Sequence, residues 1–155
     1  MKVELSDYDR SLLAGDYGEA KQKAMGIIVR MAELQGAVRL IDISRVHIDG
    51  CAYNGEAGIL FPAEMAKDGD RVSVPTTMNA ISVDRRQPDK FDIDKGFSEK
   101  ANQVVDAYEK MGVKSTYACT PYQLPDAPEF GEHIAWAESN AVVFANSVLG
   151  ARSNR

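Results

Sequence analysis

This sequence lacks most of what marks a specialised chain. It has no basic excess: 18 Lys and Arg stand against 23 Asp and Glu, a formal net charge of −5. Binding nucleic acid or another polyanion needs a basic face, so the balance argues against that class of partner. No apolar run approaches the ~20 residues that span a bilayer, and the opening Met1-Lys-Val-Glu-Leu-Ser-Asp turns acidic at once, unlike a secretory leader. Only two cysteines, Cys51 and Cys119, and two histidines, His47 and His133, are present. The cysteines form no CxxC pair and do not suggest a disulfide scaffold. With the histidines they could supply four zinc ligands, but their spacing resembles no zinc motif. A reduced, cytoplasmic setting follows. Internal repeats and low-complexity segments are also missing.

What remains is ordinary globular composition, 45% hydrophobic over 155 residues, enough for one domain with a proper core. Ser6 is placed to cap a short first helix that Gly15 closes. A longer helix is expected over 17–35, with Ala20, Ala24, Ile27, Ile28, Met31 and Leu34 on one apolar face. Residues 38–43 read as the first strand, extending through Val46 and Ile48. Helix 57–67 contains Pro62, a possible restart. Residues 71–74 alternate like a strand that Pro75 terminates. The segment 83–95 is an irregular surface connection. Helix 97–111 carries a stripe of Phe97, Ala101, Val104, Val105, Tyr108 and Met111. Residues 113–119 form the next strand.

Helices alternating with strands give an α/β domain with a largely parallel sheet. Ligands of open parallel sheets bind beyond the carboxyl ends of the strands. Three polar clusters are expected on that rim: residues 47–56, 76–79 and 119–122.

The last third is read as a strand ending at Cys119, a proline-punctuated loop, and an apolar helix. From Ser139 to Ala151 no residue is charged. At about 3.6 residues per turn, Ser139 lies over Asn146 and Asn140 over Ser147, opposite an arc of Ala141, Val142, Phe144, Ala145, Val148 and Leu149. A helix this apolar is expected to be buried, with its polar stripe either close-packed or facing a ligand. Cys119 is open to three readings: nucleophile with His133 as its base, metal ligand, or inert small hydrophobe. Thr76, Thr77 and Asn79 are either an anion cradle or turn caps. Glu138 is either a residue favoured at a helix start or a catalytic acid/base.

Several blocks then stand out together. Phe130-Gly-Glu-His-Ile-Ala-Trp-Ala-Glu-Ser-Asn-Ala-Val-Val-Phe-Ala-Asn-Ser-Val-Leu-Gly-Ala-Arg-Ser-Asn154, Val74-Pro-Thr-Thr-Met-Asn79, Met111-Gly-Val, Ala118-Cys-Thr-Pro-Tyr122, Asn54-Gly-Glu-Ala-Gly58 and Gly15-Asp-Tyr-Gly-Glu-Ala20 occur in one order along nearly the whole chain. They resemble the signature of the aconitase X family. The resemblance implies a three-layer aconitase-like domain and an iron–sulfur hydro-lyase that removes water from a small hydroxy acid. The substrates it implies are cis-3-hydroxy-L-proline or mevalonate 5-phosphate, with Pro121 to Pro125 and the Cys51 loop leaning towards the first. It also implies Cys119 as a cluster ligand and Glu138 and Ser139 as catalytic. Thr76, Thr77, Asn79, Asn140, Asn146 and Ser147 are implied around the substrate.

The family's catalytic polypeptide is longer, and its cluster needs three cysteines where this chain has two in all. The resemblance therefore implies an N-terminal fragment, completed by further polypeptide that carries the other ligands and by a small swivelling domain or subunit. Two other readings stand beside it: a truncated, non-catalytic assembly domain, and a thiol hydrolase using Cys119 and His133.

Overall fold

The computed structural model describes residues 3–153. Asn154, which ends the longest motif, lies outside them, as do Met1, Lys2 and Arg155. Helices α1 (Asp7–Ala14) and α2 (Glu19–Leu34) lead into β1 (Val46–Ile48), α3 (Glu56–Met65), β2 (Thr76–Met78), α4 (Lys95–Lys110), β3 (Lys114–Ser115), β4 (His133–Trp136), α5 (Ser139–Phe144) and β5 (Arg152–Ser153). The strands form one parallel sheet in the order β3-β2-β1-β4-β5. The chain winds outward from β1 through β2 to β3, then returns to β4 on the other side of β1. This is the doubly wound arrangement, with its switch point between β1 and β4.

Local chemistry explains the better-formed elements. Ser6 and Asp9 make a reciprocal capping box at α1, and Gly15 closes the helix in the left-handed conformation at φ 89°. Asp94 caps α4 by accepting the Phe97 amide at 2.8 Å. Pro62 sits inside α3 without dividing it into two helices.

The sheet separates two cores. On one face Met78, Val105, Val113 and Cys51 pack together, with α4 above them. On the other, Ile134, Trp136, Ala141, Ala145 and Ala151 pack under α5. Alternation along the strands produces the division: Ile134 and Trp136 point one way from β4, while Thr76 and Met78 point the other way from β2.

Several expectations are corrected. Residues 38–43 are not a strand; Val38 and Ile41 are exposed, and their contribution is one bridge, Glu4 to Arg39. Backbone pairing with β4 starts only at Ser44, whose amide donates to the His133 carbonyl at 2.8 Å, and from Val46 both β2 and β4 flank the chain. Residues 71–74 are not a strand either. Pro75 precedes β2 instead of ending a ladder, its carbonyl accepting the Val46 amide at 3.0 Å. The expected strand at 113–119 shortens to β3, after which Tyr117 turns at φ 51°. Strand β4 has no counterpart among the expected strands. The closing helix is also not one buried rod: α5 passes into a π-helical turn, Ala145–Leu149, and Val143 and Val148 are exposed. Finally, the α2 stripe largely faces outward. Of the stripe Ala20 is buried, as is Met25 outside it, while Ile27, Ile28, Met31 and Leu34 are at least half exposed.

Candidate functional site

The carboxyl rim of the sheet brings together residues far apart in sequence. Strand β1 ends at Ile48, β2 at Met78 and β4 at Trp136. The next turns place Asp49, Asn79 and Glu138 side by side. The Asn79 amide nitrogen donates to Asp49 Oδ1 at 3.0 Å and to Glu138 Oε2. Its own Oδ1 accepts the Ala80 amide. An amide nitrogen carries two hydrogens, so this side chain, 6% exposed, has both engaged by carboxylates across the β1–β4 switch point.

The electrostatics follow from that arrangement. Glu138 is pushed above the ordinary glutamate value by loss of solvent, then by the nearby Asp49 charge; the Asn79 hydrogen bond acts the other way. A carboxyl group held this way keeps its proton closer to neutrality than a solvated one, which suits proton transfer.

Cys119 stands on the same rim, after β3. Its thiol is free and exposed, and its carbonyl accepts a hydrogen bond from Asn140 Nδ2 at 3.0 Å. That contact links the Cys119 turn to the start of α5, one residue past Ser139 and two past Glu138. Cys51 is different in kind. It is buried with Sγ donating to the Ile48 carbonyl at 3.3 Å, and burial pushes its thiol up to about 11.

The remaining sequence candidates fall into two groups. Ser139 and Asn140 are exposed at the rim beside Glu138. Thr76 is buried within β2, its hydroxyl donating to the Val74 carbonyl, and Thr77 points to the opposite face, within 2.8 Å of His47 Nδ1. Asn146 accepts the Ser153 amide at β5, and the Ser147 hydroxyl donates to the Val143 carbonyl of its own helix. All four members of the Ser/Asn stripe are exposed, so the close-packed alternative for the stripe is corrected. His133 opens β4 at the amino edge of the sheet, whereas Cys119 is tied to Asn140 at the carboxyl edge. The structure does not bring them together as base and nucleophile.

Sequence reasoning missed Asp49 as a partner of Glu138. Its position immediately after β1 is the available signal, masked when the strand is centred on 38–43.

As a metal centre the rim offers one suitable donor. Among the described residues no three His, Cys, Asp or Glu side chains are gathered closely enough to hold an ion. The exposed Cys119 thiol fits a single ligand position of a cluster whose other ligands come from elsewhere. A concavity of about 780 Å³ lies away from the rim between α2 and α3; Ile27, Met31, Leu60 and Phe61 line it. The chemistry-bearing groups stand on an open shelf.

Comparison with known proteins agrees with this architecture. The family model described as "Aconitase X first domain" matches residues 2–155. Cis-3-hydroxy-L-proline dehydratase of Pseudomonas aeruginosa is 52% identical over 97% of this chain and 26% of its own length. The protein of the same name from Hypocrea jecorina is 50% identical over 99% of this chain and 26% of its own. The phosphomevalonate dehydratase large subunit of Thermococcus kodakarensis is 44% identical over 97% of this chain and 37% of its own. The crystal structure of the holo-form of Thermococcus kodakaraensis aconitase X superposes with a TM-score of 0.86 at 44% identity, covering 99% of this chain and 38% of that one. The chain thus spans about a quarter to two fifths of the relatives it matches. With a family model covering all but its first residue, and its parallel doubly wound sheet reproduced in that crystal structure, the chain belongs to the aconitase X family.

Proposed function

We propose that this chain is the N-terminal part of the catalytic domain of an aconitase X-type hydro-lyase, which removes water from a small hydroxy acid. One observation carries the reading: Asp49, Asn79, Glu138 and Cys119 gather on the carboxyl rim around the β1–β4 switch point, where a doubly wound sheet binds its ligand. Cis-3-hydroxy-L-proline is the favoured substrate over mevalonate 5-phosphate, because the two dehydratases of that name share 50–52% identity with this chain against 44% for the phosphomevalonate enzyme.

In this reading Glu138 accepts the proton from the carbon beside the hydroxyl-bearing carbon, and the hydroxyl leaves as the double bond forms. Asn79 holds that carboxylate in place, and the neighbouring Asp49 charge keeps it a usable base. Ser139 and Asn140 face the same shelf and can hydrogen-bond the substrate. Thr76, Thr77, Asn146 and Ser147 serve behind this front, holding the strands and α5 that carry it. Cys119 supplies one ligand to an iron–sulfur cluster. When bound, such a group supplies a Lewis acid for the departing hydroxyl. The other cysteine ligands, and the small swivelling domain with its catalytic serine, belong to the polypeptide that completes the enzyme. A cytoplasmic setting keeps the ligand thiol reduced.

The test is reconstitution of this chain with the remainder of a cis-3-hydroxy-L-proline dehydratase, iron and sulfide, under anaerobic conditions. Brown cluster absorbance and dehydration of the substrate are expected, and Cys119→Ser removes both. Unchanged cluster absorbance in Cys119→Ser rules out the ligand role.

A second reading, a non-catalytic assembly domain, draws on the exposed apolar groove between α2 and α3. It predicts association without bound iron when the chain is purified anaerobically by itself.

A further inference from the structure

The carboxyl rim carries more negative charge than proton transfer requires. Glu138 suffices as a base, yet Asp49 stands beside it, and Asn79 ties the two together. No ion pair among the described residues includes either carboxylate; the paired lysines and arginines join other groups. Like charges gathered without a cation oppose each other, and the raised Glu138 shows it. Among the described residues too few metal-binding side chains gather there to hold an ion.

The geometry leaves one oxygen of each group free. Asp49 Oδ1 and Glu138 Oε2 share the Asn79 amide, but no described residue donates to Asp49 Oδ2 or Glu138 Oε1. Asp49 is exposed, and a Cβ built on Gly50, the next residue, would meet no atom within 4 Å. Space on that side of the rim is open. Both hydrogens of the Asn79 amide are taken, so it has none left for a ligand. The shelf therefore presents a pair of acceptors with net negative charge. A phosphate set against them is repelled, and a protonated amine is held.

That pair matches one arrangement of substrate atoms. In cis-3-hydroxy-L-proline the carbon that loses its proton is bonded directly to the ring nitrogen, which is protonated at neutral pH. One carboxylate must take the proton while another holds the nitrogen, and the two must stand side by side, as Glu138 and Asp49 do. Mevalonate 5-phosphate has no nitrogen and brings a further anion instead.

We propose that Asp49 is the specificity-determining residue of the rim: its free Oδ2 accepts a hydrogen bond from the protonated amine of the substrate, and its charge turns away phosphorylated hydroxy acids. The substrate class is then a β-hydroxy α-amino acid. This role deepens the dehydratase reading and rests on it, with Glu138 as the base. Positive charge on the nitrogen also stabilises the negative charge that develops on the neighbouring carbon.

The test assembles this chain with the remainder of a cis-3-hydroxy-L-proline dehydratase and measures the binding of two probes by calorimetry. L-Proline keeps the ring, the carboxylate and the protonated nitrogen; cyclopentanecarboxylate has carbon in place of that nitrogen. Neither has a hydroxyl to lose, so the measurement needs no turnover. The original assembly is expected to bind L-proline at least about ten-fold more tightly than cyclopentanecarboxylate, the worth of one charge-assisted hydrogen bond. Asp49→Asn keeps the side chain's size and an oxygen for Asn79 but removes the charge. It should weaken L-proline about ten-fold and leave cyclopentanecarboxylate no weaker. If Asp49 only tunes Glu138, the variant lowers kcat and leaves the ratio of the two affinities unchanged. That result, equal affinity for the two probes in the original assembly, or no binding of L-proline overturns the proposal. Where Asp49→Asn fails to assemble, Asp49→Ser is read by the same ratio. Dehydration of cis-3-hydroxy-L-proline is followed separately in the same assembly. Turnover with an unchanged ratio removes the Asp49 role alone. A cluster-loaded assembly without turnover removes the dehydratase reading, while the probe ratio still reports on Asp49.

Discussion

At the scale of single residues, the two cysteines divide the labour of one element between them. The exposed Cys119 thiol should react with iodoacetamide at pH 8 while Cys51 stays unlabelled, giving one modified thiol per native chain by mass spectrometry. Cys51 has a second consequence. Its folded-state value near 11 lies above its ordinary 9.0. Below 9 the thiol is protonated in both states; between 9 and 11 the unfolded chain loses its proton first, so stability falls as pH rises through that window. The loss should reach about 3 kcal/mol by denaturant titration, because each pH unit across the window costs ~1.4 kcal/mol, and it should be absent in Cys51→Ala. The carboxylates on the rim give a test of opposite sign. Asp49→Asn removes a negative charge beside Glu138, so the Glu138 titration followed by carbon NMR should move down towards the ordinary glutamate range. An unmoved Glu138 in that variant would mean that the two groups do not share a site. The sequence already sets Cys119, in its Ala118-Cys-Thr-Pro-Tyr122 motif, apart from Cys51; the packing of Cys51 against Met78 and Val105, which residue identities do not give, supplies the burial that raises its thiol.

At the scale of elements, the helices are more legible than the strands. Helix α4 announces itself by a cap at Asp94 and a repeat that buries Ala101, Val104 and Val105. The strands contribute two to four residues each, too short for alternation to identify them, and their limits depend on partners distant in the sequence. Strand β1 begins where Pro75 and Arg45 offer carbonyls to its neighbourhood, a fact invisible in 38–43. The α2 stripe is the instructive failure: its period is helical, but period does not say whether the partner surface is in the same chain. Substitutions should follow the observed burial. Met78→Ala, from a side chain with no exposed surface, should cost about 2–5 kcal/mol, measured by denaturant unfolding. Leu60→Ala on the exposed face of α3 should stay within about 0.5 kcal/mol in the same measurement.

At the scale of the whole molecule, polarity is unevenly distributed. The rim carries carboxylates, amides and a thiol, while α2 and α3 present Ile27, Ile28, Met31, Leu34, Leu60 and Phe61 to solvent. Contiguous apolar surface of this kind promotes association. Sedimentation should show weight-average mass rising with concentration, and an Ile27→Lys, Leu60→Lys double variant should suppress the rise. The doubly wound order also has a consequence for the chain during synthesis. Strand β1 is central, yet its neighbour on one side, β4, is made long after β2 and β3 are complete. Until His133 to Trp136 leaves the ribosome, the nascent chain displays an open inner edge with unpaired amides and carbonyls. Such an edge invites pairing with another nascent chain. The return crossing to β4 closes that inner edge, and only β5, at the outside of the sheet, is added after it.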